Sequence, residues 1–294
     1  MNKKSVKTMF TLLMLFIITS CERNVNLHSV SSNYLVVDSM KIHFKEYGQG
    51  DKTFIFVHGW GCDLNVWQYQ FTHFKNKFPM VFIDLPGYGK SDKPEREYTI
   101  DLFAKAVLAV IDYLNIRKPV LIGHSMGLPV CIQVIKMLDT DEAKLCNIDG
   151  VYFSFPEDSI DYINYKKFLN DFADMFKGED YKQNVEQFVN NFITDNTPPA
   201  VKDYIYSTMP YTEKFVGYSS MQSLIDERFW DNEKLTNQTL AVYAKTAELP
   251  PDNKEILLKQ FPNLLYIEME GVNHFLMMEK PSELNQILED FIKE

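Results

Sequence analysis

Ser125 stands in Gly123-His124-Ser125-Met126-Gly127, after the apolar run Pro119-Val120-Leu121-Ile122 and before a stretch with helical patterning. A serine at a sharp strand-to-helix turn has its hydroxyl pushed clear of the backbone, and glycines two residues before and after it permit the crowded bend. The pentapeptide alone is a weak signal, because glycine and serine are common in loops; the flanking strand-like and helix-like segments make Ser125 a candidate nucleophile. Acyl transfer by a serine also needs a base, donors for the developing oxyanion and usually an acid to orient the base. His274, in Gly271-Val272-Asn273-His274-Phe275, follows the last strand-like run at 264–268. It therefore falls at the carboxyl end of a strand, where open α/β sheets gather their functional groups. The strand-like Phe54-Ile55-Phe56-Val57 runs into His58-Gly59-Trp60-Gly61, so the Trp60 and Met126 main-chain N–H groups are the expected oxyanion donors. Losing one such donor typically costs about 3 kcal/mol. His58, and Asp84 in Asp84-Leu85-Pro86-Gly87-Tyr88-Gly89-Lys90-Ser91, are expected to fix loops.

These groups meet only if the elements between them fold in a particular order. Strand-like and helix-like segments alternate along the chain, the signature of a mostly parallel sheet covered by helices. Eight strands are expected, at 34–37, 41–47, 53–57, 80–84, 120–123, 151–155, 240–244 and 264–268. Residues 101–114 carry a helical apolar stripe, and 127–137 and 282–292 read likewise as helices. Between the sixth and seventh expected strands, about 156–235, the pattern turns helical and rich in aromatics, among them Phe168, Phe172, Phe188, Phe192 and Phe229. That is a helical lid, whose aromatic residues either pack against one another or line an apolar pocket for a small-molecule substrate.

The chain opens with Lys3, Lys4 and Lys7, continues with an apolar run at 9–18 and reaches Ile18-Thr19-Ser20-Cys21. A basic start, an apolar stretch too short to span a bilayer and small residues at its end form a secretory signal. The expected organisation is a signal peptide at 1–20, a polar tether at 21–33 and one domain at 34–294. Without residues 1–20 the chain holds 27 basic and 40 acidic side chains, a formal charge of about −13, which disfavours nucleic acid as a partner. Six histidines form no close metal pair and there is no phosphate-cradling GxxxxGK[ST] loop, so neither metal nor cofactor is implied.

In this order, His58-Gly59, Asp84 to Ser91, the Ser125 pentapeptide and the His274 pentapeptide resemble the motifs of the α/β-hydrolase fold family, in its lid-bearing, cofactor-free form. The resemblance covers roughly residues 34–292, the lid least of all. It implies a Ser-Asp/Glu-His triad acting on esters, amides or related carbonyl substrates. Ile18-Thr19-Ser20-Cys21 resembles the lipobox of bacterial lipoproteins, which implies lipidation of Cys21, a membrane tether and a place in the bacterial cell envelope. One family position departs from the pattern. After the seventh expected strand, Ala247 stands where the acid belongs, and the adjacent Glu248 is the expected substitute. Glu157 and Asp158 are alternatives after the preceding strand, while Asp252, three residues before Glu255, reads as a helix cap. The expected activity is hydrolysis of a carboxylic ester with an apolar portion through an acyl-enzyme on Ser125. A catalytically weakened binding protein and an amide, peptide or carbon–carbon bond hydrolase are the alternatives.

Overall fold

The computed structural model describes residues 25–138, 140–231 and 233–293; Cys21 and the expected signal peptide lie outside the described residues. Eight strands form one sheet: β1 (Asn33–Val37), β2 (Met40–Tyr47), β3 (Lys52–Val57), β4 (Met80–Ile83), β5 (Lys118–His124), β6 (Lys144–Ile148), β7 (Thr239–Ala244) and β8 (Leu264–Met269). Their order is β1-β2-β4-β3-β5-β6-β7-β8, with β2 antiparallel to both neighbours and every pair from β4 to β8 parallel. The central strands are buried on both faces, which is why β3 and β5 read as continuous apolar runs rather than as alternation.

The α-helices among the described residues are α1 (Gln68–Phe74), α2 (Ile100–Tyr113), α3 (Gly127–Met137), α4 (Ser159–Asp174), α5 (Tyr181–Val189), α6 (Pro199–Thr208), α7 (Lys214–Leu224), α8 (Asn253–Gln260), α9 (Leu276–Glu279) and α10 (Pro281–Lys293). The sheet runs one way from β3 to β4 and back the other way from β4 to β5, so right-handed crossovers place α1 and α2 on opposite faces. In keeping with that, α1 packs with α9 and α10, while α2 packs with α3. Helices α4 to α7 form the insertion between β6 and β7. Parallel pairing brings the carboxyl ends of β3, β5, β6, β7 and β8 to one edge, where the candidate residues meet.

Two expectations are corrected. The sixth strand is Lys144–Ile148, not 151–155. The run Val151-Tyr152-Phe153-Ser154-Phe155 has the aromatic character of a strand, yet it is irregular loop beside the lid. The true strand hides a polar residue in its middle: Asn147 is buried, its Nδ2 donates to the Tyr243 hydroxyl at 2.9 Å and its Oδ1 accepts from Gly150 N at 2.8 Å. The described part of the expected tether is also folded. Leu27–Ser29 form a 3₁₀ turn closed by a reciprocal Asn26–Ser29 cap, and Leu27 is buried. Lys45 Nζ donates to Leu27 O at 2.7 Å and to His28 O at 3.2 Å, and Lys75 Nζ to Val25 O at 2.9 Å.

Candidate active site

The turn from β5 into α3 holds Ser125 at φ 53, a left-handed conformation that costs a non-glycine residue roughly 1–2 kcal/mol. Neighbouring segments hold it there. Ser125 N donates to Ile148 O at 3.2 Å, and Ser125 O accepts from Leu128 N at 3.0 Å and Val151 N at 3.3 Å. The two flanking glycines are needed for contact, not for φ. A Cβ on Gly123 would lie 2.5 Å from Gly127 O, and one on Gly127 would lie 2.5 Å from Val57 O. Small residues therefore let α3 start directly against β3 and β5, with Ser125 at its N-terminal end.

His274 reaches the same edge from the loop after β8. Its Nδ1 lies 2.7 Å from Asp149 Oδ2, with both side chains about 15% exposed. Asp149 is the first residue beyond β6 and stands at φ 45. Its N–H donates to Val242 O at 2.8 Å, and its Oδ1 accepts from Ala244 N at 2.8 Å. One carboxylate oxygen is thus tied to β7, leaving the other for His274. An Nδ1–H donated to Asp149 puts the free lone pair on Nε2, the tautomer a general base requires. The loop is fixed from both ends: His274 N donates to Asn273 Oδ1 at 2.8 Å, and His124 Nε2 donates to His274 O at 3.0 Å. Burial, then the neighbouring His274, hold the His124 pKa well below the usual histidine value, so this ring stays neutral.

The carboxylate beside His274 is therefore Asp149, and the expectation of Glu248 is corrected. Glu248 is exposed and lines an outer basin that Asp149 and His274 also face, but among the described residues it makes no hydrogen bond to His274. Asp158 caps α4, accepting from Ile160 N at 2.9 Å and Asp161 N at 3.2 Å, and Glu157 is exposed before that helix. Asp252 stands at the N-cap position of α8, but its side chain makes no cap bond. Asp149 directly follows the true β6, whereas a strand at 151–155 would put it before the strand and away from the carboxyl edge. The available signal was Asp149-Gly150, a turn pair directly after Asn147-Ile148.

Trp60 follows β3 and Met126 follows Ser125, and neither main-chain N–H has an acceptor among the described residues. The loops that carry them are held by buried polar groups. His58 Nε2 accepts from Leu85 N at 3.0 Å and its Nδ1 donates to Gly59 O at 2.8 Å, while burial keeps its pKa low. Asp84 accepts from Leu64 N at 2.8 Å, Lys90 N at 2.9 Å and His43 Nδ1 at 2.7 Å. Burial alone raises a carboxyl pKa, but the His43 bond, the nearby His58 and these N–H donors outweigh it and hold Asp84 below its usual value.

Ser125 and His274 line one cavity of about 240 Å³, roofed by the insertion through Phe172, Phe188, Phe192 and Met209. Phe168, which the sequence also offered as a lining residue, is 63% exposed instead, and Phe229 is buried within the lid. No Asp, Glu, Lys or Arg is among the residues lining this cavity. A larger cleft of about 570 Å³ lies at the opposite edge of the sheet, between Glu46, Asp51 and Asn115, far from these groups. Among the described residues no cluster of metal-binding side chains occurs, and no helix is long and apolar enough to cross a membrane.

A family model described as alpha/beta hydrolase fold matches residues 52–134. The AB hydrolase superfamily protein YisY of Bacillus subtilis is 23% identical over 259 residues, covering 86% of this chain and 96% of that protein. The dihydrolipoyllysine-residue acetyltransferase component of the acetoin cleaving system of Pseudomonas putida is 37% identical over 91 residues, but this match spans 31% of the chain and only 25% of that protein. Among solved structures, an esterase from Exiguobacterium antarcticum superposes with a TM-score of 0.78 at 20% identity, over 90% of this chain and 100% of that one. The chain has the α/β-hydrolase fold, with an eight-stranded, mostly parallel sheet and flanking helices.

Proposed function

We propose that this chain is a serine hydrolase acting on carboxylic esters whose acyl part is apolar and uncharged. Ser125 Oγ attacks the ester carbonyl as His274 Nε2 takes its proton. Asp149 holds the imidazole in the required tautomer and faces the positive charge it acquires. The Trp60 and Met126 N–H groups receive the oxyanion, the alcohol leaves with the proton from His274, and water, activated by the same base, releases the acid. One observation carries this reading: a His274–Asp149 hydrogen bond of 2.7 Å at the edge of the cavity that Ser125 lines. A carboxylate beside His274 favours this reading over a catalytically weakened binding protein. The likeness to hydrolases and to an esterase agrees with this chemistry.

The wall of the cavity supports the substrate class. A cavity of about 150 Å³ lined by apolar side chains holds benzene. The larger space here, about 240 Å³ and edged by Phe and Met side chains, fits a short-to-medium alkyl or a phenyl group, and has no cation to pair with a carboxylate. A panel of p-nitrophenyl esters tests the reading. Turnover should rise from acetate to butyrate or hexanoate and disappear in Ser125→Ala, whereas hydrolysis that survives this substitution would refute it.

We also place the protein in the bacterial cell envelope, anchored to the membrane by a lipid on Cys21, on the strength of the pattern at 1–21. Val25 is already held by Lys75, so only residues 22–24 separate Cys21 from the body, a reach of about 14 Å for an extended chain. Mass spectrometry of the purified N-terminus tests this: a diacylated Cys21, and loss of membrane association in Cys21→Ala, are expected, and an unmodified residue 21 in membrane-extracted protein contradicts it.

A further inference from the structure

The lid places an aromatic ring against the His274 imidazole. Phe192 lies on the 3₁₀ turn Asn190–Phe192 that follows α5, and its ring stacks on His274 with centroids 4.4 Å apart and planes at 28°. The next ring, Phe188, meets Phe192 edge-on at 4.9 Å, and Phe275 packs against it at 6.0 Å, so Phe192 is braced from both sides. A second link joins the same two segments: Asn273 Nδ2 donates to Asn191 O at 3.3 Å, while Asn273 Oδ1 accepts from His274 N at 2.8 Å. One asparagine side chain therefore bridges the lid turn and the backbone of the base. Phe192 also borders both the apolar cavity and the outer basin behind Asp149, so with Val151 and His274 it forms the partition between them.

From this juxtaposition we infer that Phe192 is a positioning residue for His274, and that the lid turn carrying it sets the base as well as closing the pocket. The inference rests on the proposed role of His274 as general base. Rotation of the imidazole about its Cβ–Cγ bond would break the Asp149 bond and swing Nε2 away from Ser125, and a flat aromatic ring stacked on the imidazole resists that rotation. The same face attracts the imidazolium formed when Ser125 loses its proton. A wall residue that only shapes the acyl pocket acts differently, since it changes how tightly the substrate binds and leaves the aim of the base alone.

The two roles separate in kinetics on a p-nitrophenyl ester. Phe192→Leu preserves apolar bulk but removes the flat face, and should lower kcat about tenfold with KM changed by less than about threefold, since small misplacements of a reacting group cost this much or more. Phe192→Tyr should restore kcat. Asn273→Ala, which cuts the second link without touching the pocket, should lower kcat in the same way. In the proton spectrum the downfield Nδ1–H signal of His274 should sharpen in the wild type and Phe192→Tyr and broaden in Phe192→Leu. A Phe192→Leu variant with unchanged kcat and raised KM, or a Phe192→Tyr variant no better than Phe192→Leu, overturns the inference. Ser125→Ala and His274→Ala keep the two questions apart: if either retains full turnover, the reading of the active site fails, and if both lose it while Phe192→Leu does not, only the role of Phe192 fails.

Discussion

Asp149 matters to the proposed chemistry through its placement, close to Nδ1 and unable to turn away. The Ala244 N–H fixes one of its oxygens and the strand end fixes its backbone, so the other oxygen has one position available. Asp149→Asn preserves the shape but offers an amide, which favours the wrong imidazole tautomer; kcat should fall by about 10³–10⁴, read as initial rates on a p-nitrophenyl ester. Glu248→Gln should leave kcat within about twofold in the same assay, since Glu248 only borders the outer basin. Asp84 gives a different signature, in stability rather than rate. Its pKa in the fold lies below that of the unfolded chain, so the unfolded state takes up the proton first as pH falls. The stabilisation is complete above about pH 4, near the unfolded carboxyl value, and is lost as pH drops through the folded value. Asp84→Asn should therefore lower the denaturation midpoint near neutral pH and flatten its acid-side decline.

At the scale of elements, the insertion is fastened to the body mainly through α7. Ser219 Oγ accepts from Tyr98 N at 3.0 Å, Ser223 Oγ accepts from Ile100 N at 2.9 Å, and Ser220 Oγ pairs with the Tyr88 hydroxyl at 2.7 Å. Trp60 Nε1 donates to Gly217 O at 2.8 Å, so the residue whose amide is the proposed oxyanion donor is itself anchored in the lid. Ser223→Ala strips the acceptor from a buried N–H in the first turn of α2, and should cost about 1–3 kcal/mol in urea unfolding. These fastenings were not legible in the sequence, because serines on a helix face look like solvent-exposed polar residues until the partner loop is known. Most of the sheet was legible: β3, β4, β5, β7 and β8 are short apolar runs with turn residues at their ends. β6 was not, since Lys144-Leu145-Cys146-Asn147-Ile148 lacks the aromatic signal of the loop that follows it. That one misplacement left Asp149 out of view, while Ser125 and His274 stand out through the patterned segments that flank them.

For the whole molecule, topology does the work of assembly. Asp149 and His274 are far apart in sequence, yet β6 and β8 both neighbour β7, so the residues just past their carboxyl ends meet over one strand. Ser125 joins them because β5 is the next strand along. The lid then turns this rim into an apolar chamber, and through Phe192 and Gly217 it touches both His274 and the Trp60 loop. If this assembly makes Ser125, and no other hydroxyl, a nucleophile, a fluorophosphonate applied near neutral pH should mark that residue alone. Peptide mass mapping should then find one phosphonyl group per chain, on the peptide containing Ser125, formed at a far lower rate in His274→Ala and Asp149→Asn. Labelling on another residue, or a rate unchanged in His274→Ala, would contradict it.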